Sequence, residues 1–143
     1  MKVRIKRIDK TLPLPVYETQ GAVGFDLYAR EERLIKAHTL DRIPSNVIIE
    51  TPKGYGLIIS LRSSTPKKWG LLIPHGVGVI DQDYCGENDE ILIQVINFTD
   101  QDIVIDRGTK IAQGLFVRID QMEFEEHAKM TDESRGGFGS TSV

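Results

Sequence analysis

Asp81 ends the apolar step "VGVID" (77–81), two glycines, Gly76 and Gly78, flank its start, and Tyr84 follows three residues later. Such a stretch could read a planar ligand and attack it. Bare backbone through Gly76, Gly78, Val79 and Ile80 can approach a base edge closely. An aromatic ring at Tyr84 can lie against a sugar, and a carboxylate at Asp81 can take a proton from water. A plain hairpin with solvated acids, and Tyr84 in the core, would use the same residues. Asp83 and Glu87, in the same stretch, suit structural roles.

Arg62 ends another apolar run, and Ser63 and Ser64 lead into "TPKKWG" (65–70). Thr65 can cap a short helix there, with Pro66 at its first position and Gly70 as its stop. An arginine fork and two hydroxyls beside a helix start suit phosphate oxygens. Simple capping by Ser64 or Thr65, with Arg62 in a surface ion pair, is the competing account. Gln113 lies inside the apolar run "IAQG" and is either paired in the core or turned into a site. Asp26 stands between Phe25 and Leu27. It needs a cation or donor, for which Arg62 is the candidate, unless it is only a strand-end turn acid. His38, His75 and His127 have no metal-ligand spacing with one another or with Cys85. There is no phosphate loop of the Walker type, no dinucleotide fingerprint and no nucleophile elbow.

The elements that carry these residues read as strands. "NVIIE" (46–50), "YGLIIS" (55–60), "EILIQVINF" (90–98), "DIVI" (102–105) and "IAQGLFVRI" (111–119) are short runs rich in β-branched and aromatic residues, separated by turn signals. Val3, Ile5 and Ile8 among basic residues predict a half-exposed strand at the N-terminus, not the continuous apolar core of a signal peptide. The pattern predicts an all-β sandwich or barrel of short strands, with one short helix near 64–70 and a second short turn within 121–130. Residues 1–132 read as one domain. The glycine- and serine-rich 133–143 read as a flexible tail, too poor in apolar surface to order itself.

The chain has 143 residues, a hydrophobic fraction of 40% and a net charge of −3. This charge gives no footprint for nucleic acid or an anionic membrane surface. One cysteine and no apolar run of membrane-spanning length point to a cytoplasmic protein.

Taken in order, five stretches resemble the motifs of the trimeric dUTP diphosphatase (dUTPase) family: "AVGFDLYA", "RSSTPKKWGL", "GVGVIDQDYCGE", "GTKIAQ" and "RGGFGSTS". The resemblance covers nearly the whole chain. It implies a jelly-roll-like fold, a homotrimer with sites at subunit interfaces, and Mg²⁺-assisted hydrolysis of dUTP to dUMP and pyrophosphate. That reaction limits uracil incorporation into DNA and supplies dUMP for thymidylate synthesis. Asp81 then takes the place of the acid that activates water, and Tyr84 that of the ring that excludes a 2′-hydroxyl. His75, Gly76, Gly78, Val79 and Ile80 take the place of the uracil reader. Arg62, Ser63, Ser64 and Gln113 would hold phosphates, with Asp26 in support. The tail of a third subunit would place Phe138 over uracil and bring Arg135, Gly139, Ser140 and Thr141 to the phosphates, while the metal rides on phosphate oxygens and water with no direct protein ligand. Two departures stand out. His75 replaces an asparagine common in the family, and the gap from Arg135 to Phe138 is shortened. A gap too short for Arg135 to reach the terminal phosphate would make that residue nearly dispensable for turnover. A dCTP deaminase-type enzyme shares the fold and the "RSS" segment, but lacks the Asp-x-Asp-Tyr-x-Gly pattern.

Overall fold

The protein is described by a computed structural model covering residues 1–130, 133, 134 and 136. Eleven strands and one helix form among these residues, in the order β1 (Ile5–Arg7), β2 (Phe25–Tyr28), β3 (Arg33–Ile35), β4 (Leu40–Pro44), β5 (Val47–Ile49), β6 (Tyr55–Leu61), α1 (Thr65–Trp69), β7 (Leu71–Leu72), β8 (Gly78–Ile80), β9 (Leu92–Asn97), β10 (Ile103–Ile105) and β11 (Lys110–Arg118). The strands pair antiparallel in four sheets: β1-β5, β10-β3, β2-β11-β6-β8 and β4-β9-β7. This is the all-β class that the patterning predicts, in the jelly-roll-like form that the resemblance implies.

The period of two shows why the sheets meet. Along β9, Ile93, Val95 and Asn97 are buried while Leu92 is exposed. Along β6, Leu57 and Ile59 point inward. Every sheet sends side chains to one cluster: Ile49 from the first, Ile35 and Ile105 from the second, Leu27 and Leu57 from the third, Ile93 from the fourth. Each such burial contributes about 1.5–3 kcal/mol. By contrast β2 is buried at all four positions, so "FDLY" shows no alternation.

Two expectations need correction. Residues 121–130 form no helical turn; they are exposed and without regular structure, Phe124 being 96% exposed. The stretch has no apolar stripe to bury, and a single turn is marginal without one. The plain hairpin that the glycine-rich stretch from Gly76 onward could form is also not self-paired. Leu71–Leu72 joins β9, whereas Gly78–Ile80 joins β6. The turn between them, closed by Gly76 N–H to the Ile73 carbonyl at 3.3 Å, therefore bridges two sheets.

The N-terminal segment is fastened by charge. Asp9 accepts from Arg107 Nη2 at 2.6 Å and from the hydroxyl and N–H of Thr11. The Arg107 contact, then the Thr11 bonds, hold the Asp9 carboxyl far below the ordinary carboxylate range, and Arg4 depresses Glu50 in the same sense. A depressed carboxyl stabilises the fold above its unfolded value, near 3.9 for aspartate, and loses that contribution as pH falls toward its folded value. Asp9→Asn is therefore expected to lower the melting temperature more near neutrality than at about pH 2.5. Melting curves of variant and wild type running parallel across that range would exclude Asp9 as a source of acid sensitivity.

Candidate active site

The central sheet sets two groups of side chains at opposite ends. At one end, register aligns Asp26 of β2, Gln113 of β11 and Ser60 of β6 in one row. Asp26 is 7% exposed, and its two oxygens meet Arg62 Nε and Lys110 Nζ, each at 3.0 Å. Two cations on one carboxylate satisfy the demand that a buried acid makes. Lys110 also pairs with Glu18, and that bond, followed by the one to Asp26, raises its ammonium well above the ordinary lysine value. The lysine was legible only as part of "GTK"; nothing in its spacing marked it as the second partner of Asp26.

A β-bulge makes this arrangement possible. Lys110 opposes Tyr28 and Ala112 opposes Leu27, so Ile111 is the extra residue. The bulge brings Lys110 and Gln113, three positions apart, to the same face of the sheet. The carbonyl of Ile111 is put to use by the second motif: Arg62 N–H donates to it at 3.5 Å and the Thr65 hydroxyl at 3.1 Å. Thr65 is thus fully buried and does not cap α1. Ser64 takes the N-cap position but makes no side-chain capping bond. Ser63 and Ser64 are both exposed, and the Arg62 side chain is 40% exposed beyond its bond to Asp26. Gln113 Nε2 donates weakly to the Leu61 carbonyl at 3.4 Å.

At the other end lies β8, the edge strand of the sheet. Half the backbone groups of an edge strand point away from its neighbour. A cleft of about 390 Å³ lies elsewhere, between the N-terminal strand and Phe116. The one beside β8 is about 310 Å³ and is lined by His75, Gly78, Val79 and Ile80 together with Ile59, Leu92 and Gln94. The first is larger and more apolar, but it contains none of the titratable residues discussed above. Gly76, at φ +85°, makes the turn that an L side chain would strain. A Cβ on Gly78 would stand 3.2 Å from Ile59, so the strand lies flat on its neighbour. Leu92 and Gln94 were not visible as site residues in the sequence, because only the packing of β9 beside β8 brings them there.

One residue beyond Ile80, the Asp81 side chain is exposed and has no ion pair or hydrogen bond among the described residues. Its carbonyl accepts from Tyr84 N–H at 3.3 Å, closing a turn that carries the Tyr84 ring. That ring is 39% exposed, and its hydroxyl donates to the Glu90 carbonyl at 3.2 Å. Gln82 ties the turn to the sheet through Tyr55 O at 2.9 Å, and Glu87 is paired with Lys6. Arg135, Phe138, Gly139, Ser140 and Thr141 lie outside the described residues.

The two ends are far apart in one chain. Asp81 follows Ile80, which opposes Leu57, while Asp26 shares a row with Ser60. That is about 13 Å along the strands and about 14 Å across three strand spacings, or about 20 Å in all. The Arg62 guanidinium is turned toward Asp26, away from the Asp81 end.

Among the described residues, no three His, Cys, Asp or Glu side chains converge on a point that could hold a metal ion. No helix among them is long and apolar enough to cross a membrane.

The family model described as dUTPase matches residues 10–142. A deoxyuridine 5′-triphosphate nucleotidohydrolase of Helicobacter pylori (strain Shi470) is 34% identical over 145 residues, covering 100% of this chain and 98% of that one. Its namesake in Desulfitobacterium hafniense (strain DSM 10664 / DCB-2) is 40% identical, covering 100% and 96%. The crystal structure of dUTPase from Streptococcus mutans is similar with a TM-score of 0.77 and 33% identity, over 84% of this chain and 98% of that one. A Staphylococcus bacteriophage 80alpha dUTPase shares the fold, with a TM-score of 0.86 at 22% identity and 99% coverage of each chain.

Proposed function

The chain belongs to the dUTPase family and hydrolyses dUTP, and on that premise we propose that Asp81 activates the water that attacks the α-phosphate, releasing dUMP and pyrophosphate. The reaction keeps uracil out of DNA and yields the precursor of thymidylate. One observation carries the mechanistic part: the Asp81 carboxylate stands exposed and uncommitted one residue past a cleft walled by edge-strand backbone. A base must reach the proton it takes, and here neither burial nor an ion pair intervenes.

The other roles follow from the same geometry. Backbone of Gly78, Val79 and Ile80 reads the uracil edge, with His75 and Gly76 at the turn. The Tyr84 ring packs on deoxyribose. Arg62, Ser63, Ser64 and Gln113 hold phosphates, their cation fixed by Asp26. The separation of about 20 Å between the two groups supports a site shared between copies, in a homotrimer, with Arg62 supplied by a second chain. The tail, with Phe138, Arg135, Gly139, Ser140 and Thr141, closes over that site from a third.

Magnesium fits this arrangement without a dedicated cage, since it binds through substrate phosphates and keeps several waters. When bound, it neutralises charge on the phosphate oxygens. The chain's own residues position the chain of phosphates, exclude water other than the nucleophile and accept its proton.

A panel of dUTP, dCTP, dTTP and UTP, with pyrophosphate and ammonia both detected, tests the reading. Pyrophosphate is expected from dUTP, with little from the other three. Ammonia from dCTP would assign the fold to deamination instead, and tight dUTP binding without turnover would make the chain a binding protein.

A further inference from the structure

The Tyr84 ring hangs on a single polar anchor, the carbonyl of Glu90. Glu90 is itself pinned from two directions. Its side chain is 13% exposed and accepts from Arg30 Nε at 2.8 Å and Nη2 at 3.1 Å. The N–H of Asn46 donates to the same carboxylate at 2.8 Å. Asn46 stands at φ +71°, is 1% exposed, and is clasped to the backbone of Asp9 by both ends of its amide. A two-pronged arginine contact fixes orientation as well as distance. The next residue, Ile91, is bonded on both sides, its N–H to Val47 O and its carbonyl to Ser45 N–H, each at 3.0 Å. The Asp81–Tyr84 turn and the Gln82 bond to Tyr55 O fix the backbone that carries the ring, and Gly86 with Asp89 and Lys6 with Glu87 hold the loop's far tip, but none of these reaches the ring hydroxyl.

We propose that Arg30 and Glu90 act as a positioning pair that holds the Tyr84 ring in place and so sets the preference for deoxyribose over ribose. The proposal rests on the reading of Tyr84 as the ring against the sugar. Neither Arg30 nor Glu90 touches substrate in it. Excluding one added hydroxyl by packing demands a wall that does not yield; a half-exposed ring on a loosened loop would swing aside and admit the hydroxyl. The rigid part of the wall is therefore not the tyrosine but the carbonyl behind it, and the carbonyl is held by elements outside the loop, at the end of β2 and between β4 and β5.

The test compares kcat/KM for dUTP and UTP, with melting temperatures recorded beside them. Arg30→Met is expected to reduce the dUTP:UTP preference by about tenfold or more, chiefly through gained UTP turnover. Arg30→Lys should regain part of it. A stability defect lowers both rates alike and leaves their ratio unmoved. In a Tyr84→Ala background, Arg30→Met should change the ratio by less than about twofold, since the ring it acts through is gone. Should Arg30→Met fail to fold, the isosteric Glu90→Gln carries the same comparison. A wild-type ratio in both Arg30→Met and Glu90→Gln, while Tyr84→Ala collapses it, overturns the proposal alone. So does an equal loss from Arg30→Met with and without the tyrosine. A wild-type ratio in Tyr84→Ala would overturn the sugar-packing reading itself and this proposal with it.

Discussion

Asp81→Asn is expected to lower kcat for dUTP by about 10²–10⁴-fold, the range that a positioned general base supplies. The amide keeps the size of the carboxylate and can still hold a water, but it cannot take the proton that the attack releases. Because the Asp81 side chain has no partner among the described residues, its replacement should leave the melting temperature unchanged. Loss of rate would then be loss of chemistry, not of fold. Affinity for a non-hydrolysable imido analogue of dUTP should stay within a few-fold, since the base reader and the phosphate ligands are untouched. Pyrophosphate release measured at saturating dUTP decides the matter: a variant that turns over within tenfold of wild type removes Asp81 from the chemistry.

Subunits that are each inactive should restore one another. Arg62→Ala removes the phosphate fork but leaves Asp26 paired with Lys110 at 3.0 Å, so the sheet keeps its buried acid neutralised. Alone, Arg62→Ala and Asp81→Asn are both expected to be severely impaired. Mixed in equal amounts, unfolded and refolded together, they should regain about a quarter of wild-type activity, one half for each chain that must contribute its intact residue. The prediction follows from the distance of about 20 Å between Asp81 and the Arg62 cluster within one chain. A refolded mixture that assembles normally, yet stays at the level of its parents, would mean that one chain holds the whole site.

The sequence exposes the chemistry of this protein more readily than its pairing. Strands with one wet face, β6 and β9, announce themselves by alternation. β2 does not, because both its faces are covered. β4, "LDRIP", has two charges and a proline and pairs only with β9; its edge position tolerates what a central strand would not. β7 has two residues, too few for any period. The larger loss is register. The join of β7 and β8 to different sheets depends on partners more than a dozen residues away, and a local run of residues carries no record of them. The same holds for the site: Asp26 and Arg62 could be matched as acid and cation, whereas Lys110, Leu92 and Gln94 enter only once strands lie side by side. Of the two candidate caps of α1, Ser64 takes the position while the Thr65 hydroxyl is claimed by a carbonyl 46 residues away.

Ile111 makes the count of residues in β11 matter more than their identity. It is the odd member that lets a lysine and a glutamine on opposite parities face the same way. A larger or smaller aliphatic there would only disturb packing. Were Ile111 instead paired in an even ladder, Lys110 and Gln113 would fall on opposite surfaces, separating the ammonium from the carboxylate by the thickness of the sheet. One residue more between positions 110 and 113 would likewise reverse that parity, whereas excising Ile111 would keep it and forfeit the carbonyl shared by the Arg62 N–H and the Thr65 hydroxyl.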